Sequence, residues 1–531
     1  MDIKKLVFVA AIMFSPQAFS QTESDRQNIS WVDTSLSDAE KFVLKVDGKP
    51  YYMTSVQFRA DKLKRMEGWN NEQIYNLFQQ LVADNFNTVS IPLPWFRVEP
   101  TKNVFDWSVL DFYLKMVEEA GLKMELLWFG SNTCGSVWTE QPPQMLRVPE
   151  YVVKDYKTIP ESSEYTLDIA DTALLHRETY ILSQIMEHIA QWDETHGNKH
   201  TIIGVQINNE PCGKNGYQFS PMEMMRYQSD LAKAVKDSRY VTWTRVNATT
   251  HEYQDYINAN ETLRETEGTN IDFVGGDAYG KTAKQLSSFM PNKGKNYKMI
   301  MECGAEENNS QLYPFAALTT NTALSYYEYA GPDNHGLYDL TSTKGVVKVH
   351  NENTLNLIRT QNKLFNSAMQ DIATKAVGKS MKIHNATGSD PSTTKGILGT
   401  TLDPLSPTQA ISIKRSDTEL VLLTVQKGNW NIPESLNATS ASKGHFDENN
   451  EWVEEETIKF DGTFIPRAEA SVIRVVLDPE SAGINNAKDV TFVAEQQPVY
   501  DMQGRLVDRK SLKRGIYICG GKKQLFNNIK K

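Results

Sequence analysis

Cysteine is scarce. Cys134, Cys212, Cys303 and Cys519 are four residues in a chain of 531, too few to staple a protein of this size, so a hydrophobic core has to hold the fold. Their spacing, without histidine partners, matches no zinc signature, and neither a metal nor an organic cofactor is expected. Cys134, Cys212 and Cys303 each fall at a predicted strand tip, and a Cys134–Cys212 bridge is one pairing left open. Basic charge is also short. Lys and Arg number 56 against 66 Asp and Glu, a net charge of −10, which gives no footprint for nucleic acid and suits neutral polar or sugar ligands better. Past the N-terminus no run reaches the roughly 20 apolar residues that span a bilayer. Repeats and low-complexity tracts are missing as well.

What is present begins with Lys4 and Lys5, an apolar stretch over 6–14, and Ala18-Phe19-Ser20 before Gln21. Residues 1–20 therefore read as a secretory signal peptide, with an exported protein, periplasmic or extracellular, as the consequence. Residues 21–40 are polar and read as a linker. From 41 to 377, strand-like and helix-like segments alternate. Strands are expected at 51–56, 88–92, 123–128, 201–207, 240–245, 272–275, 297–301 and 323–329, and helices at 71–84, 108–120, 174–195, 222–237 and 352–376. Eight buried strands in βα alternation predict an α/β fold, a (β/α)8 TIM barrel. Beyond it, Ser, Thr, Gly and Pro punctuate short runs at 410–413, 419–424 and 470–476, which predicts a C-terminal β-sandwich over 378–481. Residues 482–531 read as a small terminal β module or tail.

Two strands end in a carboxylate. The run at 202–207 leads into Asn208-Asn209-Glu210-Pro211, and 297–301 leads into Glu302-Cys303-Gly304. Barrel folds do their chemistry at the C-terminal ends of strands, and the fourth and seventh strands would bring Glu210 and Glu302 to one rim. Two carboxyl groups about 5–5.5 Å apart can break a glycosidic bond with retention, one protonating the leaving oxygen and the other attacking the anomeric carbon. Asn209 is placed to hold a sugar 2-hydroxyl, which makes Glu210 the acid/base and Glu302 the nucleophile. Glu306 and Glu307 are rivals for the second role. Tyr279, after the sixth strand, is placed to donate a hydrogen bond to Glu302. Trp95, Trp128 and Trp138 either offer flat faces to sugar or fill the core. Gln57 and Arg59, at the first strand tip, bind hydroxyls or brace the neighbouring acids. Alternation along the eighth strand puts Tyr327 and Tyr329 on one face and Tyr326 on the other.

Glu210 and Glu302, the Asn209 before the acid and their strand positions resemble clan GH-A, whose members are retaining (β/α)8 glycoside hydrolases, and Val205-Gln206-Ile207-Asn208-Asn209-Glu210 is similar to the V-Q-x-x-N-E of its family 35 and family 42 members. Pro94-Trp95-Phe96-Arg97-Val98-Glu99-Pro100, followed by Val104-Phe105-Asp106-Trp107 and Leu110-Asp111, resembles the second-strand signature of its family 35 and family 42 β-galactosidases. Leu126-Leu127-Trp128-Phe129-Gly130-Ser131 resembles the third strand of a bacterial family 35 branch with an extra C-terminal domain. The resemblance implies an exo-acting enzyme that releases a terminal β-linked sugar, galactose first, from an oligo- or polysaccharide. Two departures bear on the sugar. Ser136 stands where many family 35 enzymes carry a galactose-binding Glu, and Pro211 follows the acid as in other families of the clan. Mannoside, glucoside and arabinoside therefore stay open, as do an endo-glycanase and a non-catalytic glycan-binding barrel. The excursion over 132–170, too long for a simple βα turn, favours a walled pocket and exo action. Residues 498–505 and 513–518 resemble C-terminal modules on exported glycan-degrading proteins of Gram-negative bacteria. Oligomeric state is not legible.

Overall fold

The computed structural model describes residues 26–35, 41–65, 67–132, 138–139, 148–161, 164–211, 219–307, 309–331, 333–340, 345–389, 391–478, 499–503, 505–507, 515–519 and 522–526. The signal-peptide reading, Cys134, Ser136, Cys212 and the suggested Cys134–Cys212 bridge lie outside the described residues, as does the side chain of Trp138.

Eight parallel strands close a barrel in chain order. They are β1 (Ser55–Gln57), β2 (Thr88–Pro94), β3 (Lys123–Phe129), β4 (Ile202–Asn209), β5 (Trp243–Ala248), β6 (Phe273–Asp277), β7 (Met299–Glu302) and β8 (Ala323–Tyr326). Apart from Lys123 at the start of β3, every strand residue is buried, which is why the strands read as continuous apolar runs rather than alternating ones. The helices outside the barrel carry legible start signals. Asn70 and Gln73 form a capping box on Asn71–Ala83, whose Ile74, Leu77, Phe78 and Leu81 turn inward. Ser220 and Glu223 do the same for Pro221–Lys236.

Four elements differ from the sequence reading, each because tertiary packing overrides a local pattern. Residues expected as a linker form strands Gln27–Asn28 and Ser30–Asp33. Ser30–Asp33 pairs with Val43–Val46, and Ser30 Oγ, itself buried, accepts from Trp243 N at 3.1 Å. The fifth barrel strand begins at Trp243, because Tyr240–Val241 pairs instead with Gln27–Asn28. The expected strand 323–329 breaks at Tyr327, and Glu328–Gly331 leaves the barrel to pair with Gly336–Leu340. The final helix breaks at Ala368 (φ −134°, ψ 32°), which turns the buried Ile372 and Ala373 into the core shared with Val43, Leu44 and Tyr52.

Six strands between Met381 and Leu477 form one sheet, and four between Thr394 and Ala468 form a second. Leu420 and Leu422 point between the two sheets with Trp430, Ile465 and Ile473. Val421 and Leu423 take the opposite face, joining Ile411 and Ile413 in a core that includes Ile203, Trp243, Met299 and Phe365. The middle strands of the six-stranded sheet are thus buried on both faces, one of them against the barrel and its last helices. Val499–Tyr500, Leu506–Val507, Gly515–Cys519 and Lys522–Phe526 make a further four-stranded sheet. Among the described residues, no helix is long and apolar enough to cross a membrane.

Candidate active site

Glu302 is the last residue of β7 and is 4% exposed. Three donors hold its two oxygens. Gln57 Nε2, from β1, reaches Oε1 at 2.7 Å and Asn247 Nδ2, from β5, reaches it at 2.9 Å, while the Tyr279 hydroxyl donates to Oε2 at 2.7 Å. Burial and the neighbouring Glu210 charge push the Glu302 carboxyl up to about 7, against the pull of Tyr279, Gln57 and the Arg59 guanidinium. The rivals are engaged elsewhere. Glu306 Oε1 lies 2.6 Å from His335 Nδ1, and Glu307 accepts from the Tyr313 hydroxyl at 2.5 Å and from Gly280 N at 3.1 Å.

Glu210 follows β4 directly, its N–H donating to Asn247 O at 2.9 Å. The strand end that places it is irregular. Pairing between β4 and β5 shifts register between Gln206 and Asn209, and Asn208 and Glu210 have φ of 56° and 44°. Left-handed backbone is uncommon outside glycine and is tolerated best by Asn. Asn208 is anchored there: its Oδ1 accepts from Gly130 N at 2.9 Å and its Nδ2 donates to Gln228 Oε1 at 3.1 Å. The bulge resets the alternation, so Gln206 and Asn209, three residues apart, meet: Gln206 Nε2 donates to Asn209 Oδ1 at 2.9 Å. Asn247 Nδ2 also donates to that oxygen, at 3.1 Å.

Asp277, at the tip of β6, is 1% exposed. Burial first, then the Glu302 and Glu210 charges, holds its carboxyl well above the ordinary range. Tyr279 meets Tyr327 edge-on at 5.5 Å and His335 at 5.5 Å. Beyond them, Arg59 forms a two-point pair with Asp61 at 2.9 and 2.8 Å and donates to the Tyr327 hydroxyl at 2.9 Å. Lys62 and Tyr327 both bond Asp333. Glu328 is fully buried beside this cluster, and burial raises its carboxyl to about 7.

The sequence-nominated residues therefore divide. Glu210, Glu302, Asn209, Tyr279 and Gln57 converge, with Gln57 bracing a carboxylate rather than standing open to a hydroxyl. Arg59 sits one layer away, held by Asp61 and Tyr327. Trp95 and Trp128 are corrections: both are 0% exposed, with indole N–H groups donating to Glu99 and Glu178 at 3.1 and 2.7 Å, so they are core with no face left for sugar. Tyr327 and Tyr329 do not share a face, because the strand breaks between them. Tyr327 joins the site, whereas Tyr329 donates to Asp84 at 2.7 Å behind Phe58 and Phe86. Sequence reasoning missed Asn247, Asp277, Gln206 and the ion pair Glu125–Arg245. The last had a signal: a charge inside each of two apolar runs. Among the described residues, no three His, Cys, Asp or Glu are grouped to hold a metal.

A sequence profile of the family 42 glycoside hydrolases, described as β-galactosidase, matches residues 65–323. The matched stretch holds both strand-end carboxylates, Glu210 and Glu302, and the Asn before the first of them. Over those residues the chain is similar to the family 42 glycoside hydrolases. Probable β-galactosidase C of Aspergillus flavus and that of Aspergillus oryzae are each 26% identical over 103 residues, 19% of this chain and 9% of theirs. The matched stretch is thus a small part of those relatives. Among solved structures, an exo-β-1,4-mannosidase from Opitutaceae bacterium strain TAV5 is 14% identical with a TM-score of 0.42, covering 62% of each chain. A family 30 xylanase from Clostridium acetobutylicum is 11% identical with a TM-score of 0.45, over 85% of this chain and 99% of that one.

Proposed function

We propose that the protein hydrolyses a terminal β-linked sugar, β-galactoside first, from an oligo- or polysaccharide, with retention of configuration. The observation that carries the reading is Glu302, a buried carboxylate held by three donors at the tip of β7 and sensing the charge of Glu210 at the tip of β4. Glu302 attacks the anomeric carbon as the glycosidic C–O bond breaks, and the proton on Glu210 passes to the leaving oxygen. In the second half, Glu210 takes a proton from water, the water oxygen displaces Glu302 from the anomeric carbon, and the acid is restored. Asn209 holds the 2-hydroxyl, a contact that strengthens at the oxocarbenium-like transition state. The leader read over 1–20 supports an exported enzyme; N-terminal sequencing of protein from a periplasmic fraction should begin at Gln21.

A panel of nitrophenyl β- and α-glycosides tests the activity. One β-glycoside should be cleaved, and Glu302→Ala and Glu210→Ala should each lower turnover by orders of magnitude with an unchanged melting curve. Near wild-type rates in either variant would overturn its assignment. A panel on which nothing is cleaved, followed by digestion of a polysaccharide, would favour endo action.

A further inference from the structure

The middle of the barrel holds a second charged group that the reaction does not use. Glu125 on β3 and Arg245 on β5 are 0% and 1% exposed and form a two-point ion pair, Nε to Oε1 and Nη2 to Oε2, both at 2.6 Å. Ser90 Oγ and Trp243 Nε1 complete the carboxylate at 3.1 and 3.2 Å. The Trp243 ring fits because β4 carries Gly204, where a Cβ would lie 2.0 Å from the indole nitrogen. Two charges so deep are costly to desolvate, and an apolar pair would fill the space at least as stably. Stability alone does not account for them.

What distinguishes this pair is its direction. A guanidinium only donates, so the remaining bond of Arg245, from Nη1 to Gln206 Oε1, dictates which end of the Gln206 amide faces it. Gln206 Nε2 is thereby turned upward and donates to Asn209 Oδ1 at 2.9 Å. With its oxygen taken by Gln206, and by Asn247 at 3.1 Å, the Asn209 amide turns its Nδ2 away from both. We propose that Glu125 and Arg245, through Gln206, are positioning residues that fix the Asn209 amide with Nδ2 toward the substrate, so that it donates to the sugar 2-hydroxyl. The Asn247 bond to Glu302 locks the same amide from the other side. The orientation is therefore set by two carboxylates, one in the barrel interior and one at the rim. This relay rests on the glycosidase reading of the site.

Gln206→Glu tests it with one isosteric change. Residue 206 then accepts at both ends, and because a charge-assisted bond outweighs a neutral amide pair, Asn209 turns Nδ2 inward and presents its oxygen to the 2-hydroxyl. Glu125→Gln/Arg245→Met removes the driver without leaving a buried charge, and carries the test if the first variant fails to fold. For the glycoside the wild type cleaves, kcat/KM is compared with that for its 2-deoxy counterpart. Both variants should lose tenfold or more of the wild-type preference for the 2-hydroxy substrate. A purely structural role would slow both substrates together, and an unchanged ratio in the folded variants would overturn the relay. Neutron diffraction from deuterated crystals reads the amide without turnover. Nδ2 turned away from residue 206 in the wild type and toward it in Gln206→Glu supports the relay even if no glycoside is cleaved, in which case the proposed function is at fault. The same orientation in both overturns the relay.

Discussion

A carboxylate as buried as Glu302 favours its neutral form, and a nucleophile needs the charged one. Its three donors offset the burial and the repulsion of Glu210, leaving it poised near neutrality rather than firmly ionised. The acid limb of kcat/KM, which reports the free enzyme, should accordingly fall near pH 7 as Glu302 loses its proton. Tyr279→Phe removes a donor that lowers the Glu302 pKa, so the limb should move to higher pH by about one unit, with kcat/KM below pH 6 falling roughly 10–100-fold. A limb that stays in place would show the hydroxyl is not holding the charge. At this scale, the sequence shows which residues end a buried run, and so the rim positions of Glu210, Glu302 and Tyr279. It does not show whether an indole face is covered, which is why Trp95 and Trp128, each sealed over a glutamate, read ambiguously.

Among the elements, the end of β4 matters most. Without the bulge, strict alternation would put Gln206 and Asn209 on opposite faces, and the amide chain between them would not exist. Asn208 keeps the bulge by accepting left-handed backbone and by bonding Gly130 and Gln228. Asn208→Ala should destabilise the protein by roughly 1–3 kcal/mol, from two buried groups left unpaired and added backbone strain. It should also depress turnover at temperatures where the variant is fully folded, because Asn209 and Glu210 shift with the backbone. Thermal melts and rates at 25 °C would check both, and a stable variant with full activity would show the bulge needs no such anchor. The doublet Asn208-Asn209 hinted at irregular backbone, but a register shift depends on the partner strand, which no local pattern reports. The break at Tyr327 has the same origin: Tyr326 to Tyr329 has strand propensity throughout, and the pairing of Glu328–Gly331 with Gly336–Leu340 decides where the barrel strand stops.

Across the whole molecule, barrel and sandwich are not separate beads, since one apolar core runs from Ile203, Trp243 and Met299 to Ile411, Val421 and Leu423. Fully buried aliphatic side chains contribute roughly 1.5–3 kcal/mol each, so a fragment covering 26–377 should melt at least about 10 °C below the full chain or be recovered aggregated. An equal melting temperature would show that the sandwich does not buttress the barrel. The periodicity of apolar residues and the run-ending carboxylates are local properties, and from them the eight barrel strands, five of the six helices of twelve or more residues and the rim on which the acids stand could be read. Tertiary structure alone decided which polar groups meet: Gln57 and Asn247 on Glu302, Arg245 on Gln206, Asp277 beside the pair, and the once-linker residues against the barrel. Those contacts join strands far apart in the chain, and their geometry depends on closure, register and burial, quantities that belong to the assembled fold and to no segment of it.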